Sequence, residues 1–226
     1  KLTWKEIKGI VNRAINSTGD YQAKYILTHD YYEYNREWSA FDKDYTLIKD
    51  IVFDKEKQMS YAKGEWENLV INTWTGTTSS GLVEGYFYPG EYDGRDMTLT
   101  YETRFDGTWE ASVVYDDFNN IATYYNEDAY FILEEENENE YIISSYLTYS
   151  QILEIVDDFS IPKDIQFPIV YTIDKETNKL HHISWKFEYS DSSDLSVEMD
   201  MEITPMDDIS VVIPEDVILN CMDGRI

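Results

Sequence analysis

Three histidines and one cysteine hold most of the nucleophilic and metal-binding capacity of this chain, and their spacing argues against both uses. His181 and His182 are adjacent on a strand-like segment, so they point to opposite faces and cannot share a metal on regular backbone. His29 falls on the apolar parity of its segment, where a hydrogen-bonded structural histidine is expected. Cys221 has no histidine near it in sequence to serve as a base, and one cysteine makes no internal disulfide. With no HExxH or CxxC spacing, no zinc site is expected. Asp42-Lys43-Asp44 opens like a calcium-binding loop, but it lacks the required glycine and runs on into Tyr45-Thr46-Leu47. Asp191-Ser192-Ser193-Asp194 reads as a turn, and the five glutamates of the 134–140 run read as a solvated one. A glycosidase needs two carboxylates across a cleft, a condition that 45 acidic residues meet by number alone. There is no G-x-S-x-G elbow and no Walker or Rossmann glycine pattern. Asn16-Ser17-Thr18 is a formal glycosylation sequon at a helix end. These residues lead us to expect a non-catalytic protein with no cofactor and no metal.

Aromatic residues are the stronger signal. Trp38, Trp66 and Trp74 lie in a loop-rich stretch between Tyr34 and Gly81, where exposed indoles could stack on sugars. A carbohydrate-binding or adhesive surface module is therefore the alternative reading. Trp109 and Trp185 hold strand parity and belong to a core. Twenty tyrosines in 226 residues suit half-buried sheet positions and ligand walls alike. The formal net charge of −27 repels phosphate backbones and anionic lipid surfaces, which argues against a nucleic-acid partner. No run approaches 18 apolar residues, so no membrane-spanning helix is expected.

The elements that must position these residues are mostly strands. From Ile165 to Ile213 nearly every odd position is apolar: Ile165, Phe167, Ile169, Tyr171 and Ile173, then Ile183, Trp185, Phe187 and Tyr189, then Leu195 to Ile203, then Ile209, Val211 and Ile213. Lys186, Glu188, Glu198, Asp200 and Glu202 stand between them, the alternation of antiparallel strands with one face covered and the other in water. Further strands are predicted at 21–31, 45–53, 82–88, 129–133 and 141–146, with a hairpin of 97–105 and 108–115 around Asp106-Gly107. Thr75–Gly81 reads as a flexible loop. Thr3 and Glu6 form a capping box for an amphipathic helix whose stripe is Trp4, Ile7, Ile10, Val11, Ala14 and Ile15, stopped at Gly19. A second helix is expected from Thr148 and Gln151 to about Phe159, before Pro162. About nine strands at ~4.8 Å make a face roughly twice as wide as two helices cover. The whole of 1–226 reads as one domain.

The closing hairpins, FPIVYTIDKETNKLHHISWKFEYSD and SVEMDMEITPMDDISVVIPEDV, resemble those of the LolA/LppX-like half-barrel lipoproteins, especially the uncharacterised cell-surface branch of Gram-positive bacteria. The likeness rests on the strand–turn Ile173 to Leu180 and on Ile213-Pro214-Glu215-Asp216-Val217. It implies an α+β, mostly antiparallel fold: a strongly curved half-barrel sheet with helices on the concave face, enclosing a cavity for acyl chains. It also implies an extracytoplasmic, cell-surface lipoprotein held by an N-terminal lipid anchor upstream of Lys1, with no catalytic residues. The expected ligand wall is the odd face: Tyr101, Trp109, Val113, Trp185, Phe187, Met199 and Met201, facing Ile7 or Val11. The partner expected is a hydrophobic small molecule or lipid, bound by a monomer.

Overall fold

In the computed structural model, residues 2–33, 45–72, 77–103, 107–151, 164–190 and 193–223 are described. Helix α1 (Trp4–Ser17) is followed by eleven strands: β1 (Asp20–Glu33), β2 (Tyr45–Asp54), β3 (Met59–Asn72), β4 (Thr77–Tyr92), β5 (Arg95–Thr103), β6 (Trp109–Val114), β7 (Ile132–Glu136), β8 (Glu140–Thr148), β9 (Gln166–Asp174), β10 (Leu180–Ser190) and β11 (Ser193–Met206). Helix α2 (Glu215–Asp223) ends the described chain. All eleven strands pair antiparallel in one sheet, in the order β6-β5-β4-β3-β2-β1-β11-β10-β9-β8-β7. Chain order is thus kept from β1 out to β6 and from β7 back to β11, and the β1–β11 pairing joins the two halves.

Register sorts the side chains into two faces. Across the strands run the pairs Trp185↔Met199, Met199↔Leu27, Leu27↔Leu47, Leu47↔Trp66 and Trp66↔Gly81, so these residues share one face. Helix α1 packs on this face through Ile7, Ile10, Val11, Ala14 and Ile15, and it is called the α1 face below. The expected alternation holds: Ile183, Trp185, Phe187, Val197, Met199 and Met201 are buried there, while Lys186, Glu188 and Glu198 are exposed.

The connection from β6 to β7 also lies on the α1 face, and it is what the sequence reading missed. The Tyr21 hydroxyl donates to Asn119 O (2.6 Å) and accepts from Ile121 N (3.1 Å), and the Tyr171 hydroxyl donates to Tyr124 O (2.6 Å). Ile121, Tyr124, Ala129 and Phe131 are buried in the main core. Residues 129–131, expected to open a strand, belong to this strap instead.

The C-terminal segment crosses to the opposite face. Ile209, Val211 and Ile213, expected as a closing strand, are irregular here and pack with Val217 against Val52, Tyr61, Tyr86, Tyr101 and Trp109. Two aspartates hold the crossing: Asp20 Oδ2 accepts Ile209 N (2.9 Å) and Asp54 Oδ2 accepts Val211 N (3.0 Å). This second face is called the α2 face. The two described α-helices therefore sit on opposite faces, and the sheet is open-edged at β6 and β7 and not strongly curled, where a strongly curved half-barrel was expected. The strap and the C-terminal crossing each cover part of one face, so much of the apolar surface is hidden without bending the sheet around it.

Other differences have local causes. Strand β4 begins at Thr77, inside the expected flexible loop, and runs through Pro89-Gly90 to a turn at Asp93-Gly94, where both residues have positive φ (51° and 72°) as a two-residue hairpin turn requires. Pro89 is tolerated because the β3–β4 ladder ends at Ser60–Phe87, leaving it one neighbouring strand. Thr3 caps α1 as expected, accepting from Glu6 N while Glu6 Oε2 accepts from Thr3 N (2.7 Å), but Trp4 is exposed rather than part of the buried stripe. Thr148 N and Oγ1 donate to Gln151 Oε1 and residues 149–151 are helical, whereas 152–159 of the expected second helix lie outside the described residues.

Candidate functional site

The seven residues expected to line a ligand wall do not come together. Trp185 (2% exposed), Phe187 (6%), Met199 and Met201 (both 0%) share the main core with Ile7 and Val11. They are packed core. Tyr101, Trp109 and Val113 are half-buried on the other side of the sheet. The pairs Gly85↔Glu102 and Glu102↔Glu110 put the even residues of β5 and β6 on the α1 face, hence the odd ones on the α2 face. There Trp109 and Tyr101 belong to the aromatic bed under α2, with Trp109 5.9 Å from Tyr86.

Of three cavities lined by described residues, none touches those seven. A space of about 270 Å³ lies among Gln58, Thr98, Tyr115, Asp117 and Asn120, and one of about 180 Å³ separates Tyr61 and Tyr86 from Val211. A wide depression of about 690 Å³ covers His181, His182 and Glu202. His182 meets Asp200 at 2.8 Å, and His181 is exposed beside it. Among the described residues no group of three His, Cys, Asp or Glu could hold a metal. His29 is buried and stacked on Tyr45 at 4.8 Å, as a structural histidine should be.

The region that departs from ordinary core packing is the α1 face over β2 to β5. Strand β2 presents Leu47, Lys49, Ile51 and Phe53 to it, a row of apolar residues interrupted by one cation. Lys49 pairs with Tyr25 on one side and Gly64 on the other, and its ammonium lies 4.5 Å from the centre of the Tyr25 ring. Beyond it, β3 and β4 carry small residues (Ala62, Gly64, Gly81, Gly85), and large neighbours lie flat across two of them. A Cβ on Gly81 would stand 3.0 Å from Trp66 Nε1, and one on Gly85 would stand 3.0 Å from both the Phe87 ring and Glu102 Cγ. The result is a shallow inlaid surface whose apolar members Leu47, Trp66, Val83 and Phe87 are all half-buried. Trp66 is therefore laid against the sheet, while Trp38 and Trp74, the other indoles of the sugar-stacking alternative, lie outside the described residues.

Charged groups rim this surface. Burial drives the Lys49 ammonium down to about 8, against the pull of Asp117 and Glu102. Burial raises the Glu102 carboxyl, opposed by the Thr100 hydroxyl (3.1 Å) and by Lys49 and reinforced by Glu110. Asp117, from the strap, is raised by burial as well, although Asn119 N (2.9 Å) and the Ser60 hydroxyl (2.9 Å) both donate to it. Sequence reasoning passed over all three. The available signal was Lys49 itself, a charge on the apolar parity of Leu47, Ile51 and Phe53.

No family model matches the chain, and no curated protein matches it. Among solved structures, a DUF1329 family protein from Desulfovibrio piger is similar over 89% of this chain and 91% of its own, at 9% identity and a TM-score of 0.32.

Proposed function

We propose that this protein is a non-catalytic, extracytoplasmic binding protein of the LolA/LppX-like lipoprotein kind, holding an acyl or similarly hydrophobic ligand on the β2–β5 part of the α1 face. The observation that supports the reading is a contrast within one face. From β8 through β11 to β1 most of its apolar side chains are buried in the core, yet Leu47, Trp66, Val83 and Phe87 on β2 to β4 remain half-buried, Leu47 and Phe87 at the core's margin. A face that is apolar but incompletely covered is where a hydrophobic ligand gains most, at about 25 cal/mol per Å² removed from water. In this reading the ligand lies flat on an inlaid surface beside the packed core, and Trp185, Phe187, Met199 and Met201 support that surface from within the fold. The strongly acidic exterior keeps a monomer soluble and away from nucleic acid, and a lipid anchor upstream of Lys1 tethers it to the cell surface.

Native mass spectrometry with dodecanol and dodecanoate added tests this. Leu47→Glu should abolish the adduct, whereas Leu82→Glu, at an exposed position on the α2 face, should leave it intact. No adduct with the unaltered chain, or equal loss in both variants, would overturn the reading.

A further inference from the structure

We infer that Lys49 is the head-group hook of this face, so that the ligand is an amphiphile with a single anionic oxygen head, a carboxylate or a phosphate monoester, on an apolar tail. The inference rests on the acyl-binding reading above and deepens it. Its ground is which charges near the surface are already engaged. Both Asp117 oxygens accept hydrogen bonds, from Asn119 N and from the Ser60 hydroxyl, each at 2.9 Å. Glu102 accepts from the Thr100 hydroxyl at 3.1 Å. Lys49 has the Tyr25 ring at 4.5 Å, and among the described residues it makes no ion pair. A half-buried ammonium carries three donors, and a ring face satisfies it less well than an anionic oxygen does.

Position agrees with this role. Lys49 is one pleat along β2 from Leu47, and its cross-strand neighbour Gly64 has no side chain to cover it. A head held at Lys49 lets a tail run over Leu47, Trp66 and Val83, which occupy the adjoining places on β2, β3 and β4. The groups facing Lys49 are Tyr25 from β1, Glu102 from β5 and Asp117 from the strap. Burial raises both carboxyls, and each also feels the Lys49 ammonium, which lowers it. Burial also leaves Lys49 charged only up to about pH 8, so the hook should release its head as the pH rises beyond that.

Isothermal titration calorimetry with dodecanoate, dodecyl phosphate and dodecanol separates head from tail, and acetate and inorganic phosphate test the head alone. At pH 7 both anionic amphiphiles should bind at least about tenfold more tightly than dodecanol, and the small anions weakly or not at all. Lys49→Met should bring all three amphiphiles to the dodecanol level, Lys49→Arg should keep the preference, and at pH 9.5 the unaltered chain should lose most of it. A preference for anionic heads that survives Lys49→Met in a variant with an unchanged circular dichroism spectrum overturns the hook. So does equal binding of dodecanol and dodecanoate by the unaltered chain, which leaves the acyl-binding reading standing. Failure of all three amphiphiles to bind removes that reading, and the hook falls with it.

Discussion

A lysine on the core side of a strand is costly to charge, and the free energy involved can be read from pH. The Lys49 ammonium titrates near 8 in the folded chain, below its ordinary 10.5. Below pH 8 it is charged in both states, and the fold bears the full cost of its burial. Between about 8 and 10.5 the folded chain has lost the proton while the unfolded chain keeps it, so this group makes stability rise with pH across that window. Lys49→Met should therefore stabilise the chain at pH 7, by about 1–2 kcal/mol once the lost contact with Tyr25 is set against the relief. The advantage should shrink steadily toward pH 10. Denaturant unfolding of the two chains at a series of pH values measures it, and comparing them cancels the tyrosines that titrate higher. A gap that stays constant with pH would mean that Lys49 is well solvated in the fold.

At the scale of elements, the C-terminal crossing is held by few bonds and should detach as a unit. Asp54 is nearly inaccessible and accepts from Lys57 N and Val211 N, both at 3.0 Å, while the Lys57 ammonium stands 3.5 Å away and donates to Val211 O at 2.7 Å. Burial works against its charge, but these donors outweigh it and hold the carboxyl below its ordinary range. The contribution is present above pH 3.8 and is lost as the pH falls through the depressed folded value. Asp54→Ala should cost about 2–3 kcal/mol. Hydrogen exchange should accelerate first in 209–221, with β8 to β11 still protected; uniform acceleration would show that α2 is not a separable element. Helix α1 offers a milder case, since Thr3→Ala removes a reciprocal cap for about 1 kcal/mol by thermal unfolding. That cap was legible because capping is written in four adjacent residues. Strand alternation was equally legible, and β9 to β11 follow it closely. Which strands share a face was not. Parity is kept within a strand but reset by every turn and bulge between strands, so Trp109 and Trp185, both odd, finish on opposite sides of one sheet. In β2 the rival pairs Leu47/Ile51 and Ile48/Val52 compete because the C-terminal crossing packs on Val52 from the α2 face, while Ile48, exposed on that face, has Ile26 beside it on β1.

For the molecule as a whole, the decisive element is the one with no periodicity to read. Residues 115–131 join the two edge strands, β6 and β7, along the α1 face, and they bury Ile121, Tyr124, Ala129 and Phe131 without forming a strand or an α-helix. A width argument from strand and helix counts leaves that cover out, which is why it predicts an empty chamber where the structure has core. The strap also separates packed core from inlaid surface: Asn119, Ile121 and Tyr124 are tied to Tyr21 and Tyr171, while Asp117 reaches Ser60 at the margin of the half-buried patch. Cover and candidate site are therefore coupled through one segment. Tyr21→Phe tests that coupling, because it leaves the ring stacked on Phe53 (4.9 Å) and removes only the hydroxyl. The buried Asn119 carbonyl and Ile121 N–H then lose their partner, at a cost of about 2–3 kcal/mol. Limited proteolysis should cut within 116–131 well before the rest of the chain unfolds, and affinity for dodecanoate should fall along with the strap's protection. If the strap loosens while dodecanoate binding is unchanged, the ligand lies elsewhere than beside Asp117 and Lys49. If neither changes, the two tyrosine hydrogen bonds are not what holds the strap to the sheet.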